Sequence, residues 1–158
     1  MLDKIDLKRI LFLDIETVPE VERFDQLSEE TQKLWDAKSA YQRKEDQTPE
    51  SFYERAAIWA EFRKIVSISV GYFSGSKKNR SFRMKTFFGG EKELLIAFKE
   101  LLENHFNHPS NLLYAHNGKG FDFPYIARRM IINSVSIPSH LNLFNKKPWE
   151  IPHLDTLH

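Results

Sequence analysis

The sequence predicts an α/β fold on a mixed sheet, from three features. An apolar, β-prone run near the N-terminus ends in acids, two alternating runs flank a polar turn, and two amphipathic helical stripes enclose a short apolar strand. At 158 residues and 41% hydrophobic, the chain is large enough to bury one core without staples. It has no cysteine, so disulfides and thiolate metal sites are excluded and any metal must sit on carboxylates or histidines. No window approaches the roughly 18 apolar residues of a membrane helix, and Met1 to Asp6 is too acidic for a signal peptide. A soluble, unexported, cytoplasmic protein with no membrane partner is expected.

The first strand is Arg9-Ile10-Leu11-Phe12-Leu13-Asp14-Ile15-Glu16, a buried strand that delivers carboxylates at its end. Residues 17–63 form a mostly helical insertion. Ser28-Glu29-Glu30 looks like an N-cap with first-turn acids, and Thr48-Pro49-Glu50 starts a second helix whose Phe52, Ala56, Trp59 and Ala60 share a face. The polar stretch 38–50 fits either a loop or a helix extension. From Ile65 to Phe73 and from Arg80 to Phe88 the alternation predicts a β-hairpin around a turn at Gly75 to Asn79. Residues 91–106 carry Leu94, Leu95, Phe98, Leu101 and Leu102 on one helical stripe, with Glu91 and Glu93 favoured by the helix dipole at its start. Asn111 to His116 is another short strand. After the Gly118-Lys119-Gly120 turn, a helix from about Asp122 to Asn133 is expected to bury Phe123, Ile126, Ala127, Met130 and Ile131.

This order of strand, insertion, antiparallel hairpin, helix, strand and helix is ribonuclease H-like, with residues 1–158 forming a single domain. It brings the end of the first strand near the start of the last helix, so Asp14 and Glu16 can meet Asp122 across 108 residues of chain. On a strand, residues i and i+2 project from one face about 7 Å apart, so Asp14 and Glu16 aim at one cavity while Ile15 points away. Three carboxylates make most of a site for two divalent cations, Mg²⁺ or Mn²⁺, of the kind that hydrolyses phosphodiesters. The alternative is that Asp14 and Glu16 merely end a strand and Asp122 caps a helix.

Charge is unevenly spread. Residues 1–63 carry 10 Lys/Arg against 15 Asp/Glu, and residues 64–158 carry 13 against 7. A polyanion approaching the second part is compatible with this, and so is a solvated surface.

Leu13-Asp14-Ile15-Glu16-Thr17 resembles the first exonuclease motif of the DEDD (DnaQ-like) superfamily, and His116-Asn117-Gly118-Lys119-Gly120-Phe121-Asp122 resembles the second. With Ala56 to Ser69 before the hairpin, nearly the whole chain resembles predicted exonucleases related to the proofreading domain of family B DNA polymerases. The resemblance implies a 3′-5′ exonuclease acting on single-stranded 3′ ends of DNA or RNA. It implies metal binding by Asp14, Glu16 and Asp122, with Thr17, Asn117 and Phe121 around the terminal nucleotide. The family also uses a third motif, a Tyr or His general base before a fourth aspartate on a later helix, and nothing after Asp122 matches it. Asp155 comes too early and is expected to be a turn acceptor. A metal site from Asp155 with His153 and His158 lacks a further ligand. The domain is therefore expected to be incomplete at its C-terminus. A phosphatase of the haloacid dehalogenase type is a poor fit, because it needs Asp-x-Asp where Glu16 stands and alternating strands and helices where the hairpin falls. A nucleic-acid-binding or scaffold module that kept the fold and lost the reaction is the non-enzyme alternative.

Overall fold

The computed structural model describes residues 6–76 and 78–157; Met1 to Ile5, Lys77 and His158 lie outside the described residues. The chain divides into two compact units, Met1–Glu16 with Ile65–His158, and Thr17–Lys64.

In the larger unit, the strands are β1 (Ile10–Pro19), β2 (Arg63–Gly75), β3 (Arg80–Phe88), β4 (Leu112–Ala115) and β5 (Leu154–Asp155), with β1 and β2 carrying the chain into and out of the smaller unit. They form one five-stranded sheet in the order β3-β2-β1-β4-β5. β2 and β3 are antiparallel from Ser67↔Phe88 to Gly75↔Arg80, whereas β1 pairs β4 and β4 pairs β5 in parallel. The sheet is thus mixed. The antiparallel hairpin stands where a haloacid dehalogenase fold would need an alternation of strands and helices.

Along β1 the side chains alternate as the pleat requires. Leu11, Leu13 and Ile15 are buried, while Asp14 and Glu16 on the other face are exposed. Two helices complete the unit, α3 (Glu91–His105) and α4 (Asp122–Ile132). α3 packs on β3 and α4 and buries Leu94, Leu95, Phe98 and Leu102. α4 buries Phe123, Ile126, Ala127 and Met130, but Ile131 is 55% exposed. The expected stripe is corrected here. Asp122, Tyr125, Ile126, Arg129 and Met130 fall at helical spacing on the buried side, and pulling Arg129 inward turns Ile131 out.

The reason is an ion pair. Glu91 sits at the start of α3, and its carboxylate accepts hydrogen bonds from Arg129 Nε at 2.7 Å, from Asn133 Nδ2 at 2.9 Å and from the Ile65 backbone N–H at 2.7 Å. Arg129 also pairs through its terminal guanidinium nitrogen, and the two side chains are 4% and 10% exposed. Burial alone would raise the Glu91 pKa, but these donors outweigh it and hold the carboxyl below its usual range.

The smaller unit has its own aromatic core, with Trp35 at 0% exposure against Phe52, Tyr53 and Phe62. α1 (Glu29–Ser39) is capped by Ser28, whose side chain accepts from the Thr31 N–H. The expected long second helix is instead a single turn, α2 (Pro49–Phe52), followed by a 3₁₀ stretch over Tyr53–Ile58. Phe52, Ala56 and Ala60 are still buried, but Trp59 has left helical geometry. Packing of successive aromatics around Trp35 overrides helix propensity in this segment.

Replacing Glu91 by Gln leaves Arg129 buried without its counter-charge and is expected to lower the unfolding free energy by about 3–5 kcal/mol. Urea denaturation measures this. A loss below about 1 kcal/mol would mean that the pair behaves as an exposed one.

Candidate functional site

Alternation on β1 puts Asp14 and Glu16 on the face opposite the buried Leu11, Leu13 and Ile15. β4 runs parallel beside β1, with Phe12 opposite Tyr114, so the chain leaving β4 at His116 emerges next to Asp14. The turn that follows then returns the chain to α4.

That turn has a defined shape. Asn117 adopts a left-handed backbone with φ of 59°, and its carbonyl accepts from the N–H groups of Gly120 and Phe121. A Cβ on Gly118 would lie 2.6 Å from both Ala115 Cβ and Phe123 Cζ, so only glycine fits. Asp155 on β5 fixes the turn from outside it: one carboxylate oxygen accepts the Asn117 N–H and the other the Lys119 N–H, each at 2.9 Å. The Leu157 N–H also donates to Asp155 at 2.9 Å. His116 Nδ1 lies 2.7 Å from Thr156 Oγ1.

Phe121 precedes α4 with its ring 5.0 Å from that of Tyr125, and Asp122 is the first residue of the helix. Asp122 is 4% exposed. Burial pushes its pKa up to about 6, hydrogen bonds from its own N–H and that of Ile15 pull the other way, and the negative charges of Asp14 and Asp155 add to the rise. Asp14 and Asp122 are therefore brought together. Glu16 stands one pleat further along β1, and Thr17 belongs to the smaller unit, where its carbonyl accepts from Arg63 at 2.7 Å. Among the described residues no three His, Asp or Glu side chains form a metal-binding group. The donor chemistry nevertheless suits a hard divalent cation, because a buried carboxylate faces like charge with no cationic side chain among the main influences on it.

His153 is taken up in structure. Its Nδ1 accepts from the Leu113 N–H at 3.2 Å, its Nε2 lies 2.6 Å from the His140 carbonyl, and burial pushes its pKa down to about 4. Both ring nitrogens are thus occupied by backbone, which leaves no lone pair for a metal. Its neighbour His158 lies outside the described residues.

Beside Asp14 opens a groove of about 260 Å³ walled by Phe12, Phe82, Met84, Tyr114 and His116. Its floor is close-packed: a Cβ on Gly71 would lie 2.3 Å from Phe82 Cζ.

Residues 57–155 match the model of a family described as predicted 3′-5′ exonucleases related to the exonuclease domain of PolB. The chain belongs to this family. No curated protein and no solved structure matches the chain. The stretch matched to the exonuclease family runs from the end of the smaller unit to β5 and includes Asn117, Phe121, Asp122 and Asp155; Asp14, Glu16 and Thr17 precede it. No helix among the described residues is long and apolar enough to cross a membrane.

The raised Asp122 pKa makes stability depend on pH with a sign opposite to that of most acids. Between about pH 4 and 6 the unfolded chain ionises this residue before the folded one does, so its ionisation costs stability as pH rises through that window. Asp122→Asn is accordingly expected to be more stable than the parent at pH 8, on the order of 1–2 kcal/mol after screening by solvent, with the gain gone near pH 3.5. Urea unfolding of both proteins at the two pH values tests it. A gain that does not change with pH would mean that Asp122 ionises normally.

Proposed function

We propose that the protein is a metal-dependent 3′-5′ exonuclease of the DEDD type on a ribonuclease H-like fold, hydrolysing phosphodiester bonds at single-stranded 3′ ends by a two-metal-ion mechanism. The observation that carries this reading is the pairing of Asp14 with a buried, charge-stressed Asp122 in a member of an exonuclease-related family. The strand order β3-β2-β1-β4-β5, with its antiparallel hairpin and parallel crossover, supports the fold.

Asp14, Glu16 and Asp122 would hold the cations, Mg²⁺ or Mn²⁺. When bound, such ions supply an activated water and stabilise the leaving oxygen. The chain's own residues do the positioning. Asp155 holds the turn from Asn117 to Lys119 ahead of Asp122. Phe121, its ring against that of Tyr125, and Asn117 would orient the terminal nucleotide. No Tyr or His followed by Asp stands on a helix after α4 among the described residues, so this reading assigns no general base.

The absence of a three-ligand metal group among the described residues favours a second reading, a nucleic-acid-binding or scaffold module that kept the fold without the reaction. A labelled single strand incubated with Mn²⁺ separates the two. For the exonuclease, nucleotides are released one at a time from the 3′ end, and Asp14→Asn or Asp122→Asn abolishes release without unfolding the protein. Phe121→Ala is expected to slow release by loosening the pocket wall, roughly tenfold or more. Persistent release in both aspartate variants would remove these residues from the reaction, and strand binding with no release would favour the binding module.

A further inference from the structure

Between α4 and β5 the larger unit displays aromatic rings that its core does not use. Trp149 is 76% exposed and Phe144 55%, and between them stand Lys146 and Lys147, both exposed. Lys147 Nζ lies 5.2 Å from the centre of the Trp149 ring. The segment is braced by its own hydrogen bonds. Asn145 takes a left-handed backbone with φ of 61°, the Lys146 N–H donates to the Leu143 carbonyl at 3.1 Å, and the Lys147 N–H donates to Glu150 Oε2 at 2.7 Å. Glu150 is the one acid between residues 142 and 150, and its carboxylate is engaged by backbone.

On its other side Phe144 forms, with Pro124, Ala127 and Arg128 of α4, a groove of about 210 Å³. Arg128 is exposed and lies six residues along α4 from Asp122, or about 9 Å of helix rise. Arg128 thus lies on the same helix that carries the candidate site's buried acid and shares a groove with Phe144 of the loop.

Flat rings open to water, interleaved with cations and held in a fixed shape, match the surface that single-stranded nucleic acid requires. Every base has a π-face to stack, and every linkage has a phosphate to pair. We propose that residues 144–149, together with Arg128, form an auxiliary site for single-stranded nucleic acid, with bases stacked on Trp149 and Phe144 and phosphates on Lys146, Lys147 and Arg128. The choice of polymer rests on the exonuclease reading and deepens it, since the loop would grip the strand upstream of the end being cleaved.

The test is binding of a fluorescent 20-nucleotide oligothymidylate in EDTA, which keeps it independent of the metal site, alongside Mn²⁺-dependent cleavage of the same strand. Trp149→Ala is expected to weaken binding at least about fivefold and Trp149→Phe to retain it. The double variant Lys146→Ala with Lys147→Ala should reduce the slope of log affinity against log salt by about 1.4, two phosphates' worth for a single strand. Because these side chains are exposed, thermal melting should be unchanged. Parental affinity in both the Trp149→Ala and the double-lysine variant overturns the proposal while leaving the exonuclease reading intact. Loss of affinity in those variants without any cleavage by the parent supports the auxiliary site and overturns the exonuclease reading. A dimer seen by sedimentation that Trp149→Ala dissolves, with oligonucleotide affinity unchanged, shows that the loop docks a second copy and overturns the proposal.

Discussion

Two helices of the larger unit are registered by one buried ion pair, Glu91 with Arg129, and the position of Asp122 follows from it. Because Glu91 also takes the Ile65 N–H, the pair joins the start of α3, the last turn of α4 and the root of β2 through a single carboxylate. A buried pair of this kind stabilises little relative to an apolar substitute, since both charges give up water, but it penalises any helix register in which the partners miss one another. It therefore acts on geometry more than on net stability. α4 cannot rotate or slide without leaving a buried charge unpaired, and its first residue is the carboxylate that faces Asp14.

That carboxylate is held against its own electrostatic preference. Asp122 is desolvated and faces two further acids, and the N–H groups that reach it do not compensate fully. Such stress is common where a site is shaped for a missing counter-charge, and it opposes the stability that the rest of the core supplies. His153 is the contrasting case. It is also buried and also shifted, but both of its ring nitrogens are paired with backbone, and its shift comes first from burial, with the positive charges of His140, Lys146 and Lys119 adding to it. A perturbed pKa thus indicates function only when the group's polar contacts leave a charge unmet.

Much of the larger unit was legible because its signals are local. The period-2 pattern in β1 fixed which face Asp14 and Glu16 share, and the alternation in residues 65–88 fixed a hairpin whose register now runs from Ser67↔Phe88. The apolar stripe of residues 91–106 and the glycine turn before Asp122 were equally direct. What was not legible depended on distant partners. Glu91 looked like a dipole-favoured surface acid, and only the fold shows Arg129 buried against it, which in turn exposes Ile131. The helix expected beyond Pro49 had the right burial at Phe52, Ala56 and Ala60 but the wrong geometry, since packing around Trp35 decided the backbone. For the site, the meeting of Asp14 and Asp122 follows from strand order, whereas the three N–H groups gathered by Asp155 follow from a two-residue strand too short to announce itself.

That short strand bears on how the molecule is made. A chain leaves the ribosome from its N-terminus, and domains fold as their segments emerge. β1 and β4 can pair, and α3 and α4 can pack, once residue 133 is out. The turn from Asn117 to Lys119 still lacks its acceptor until Asp155 follows, 38 residues after Asn117. During synthesis this turn is thus the last part of the site to acquire its shape. Slow translation of the stretch from 134 to 155 would leave a nascent chain with β1, β4, α3 and α4 synthesised, the turn ahead of Asp122 unlatched, and Val135, Leu141 and Ile151 still to join the core.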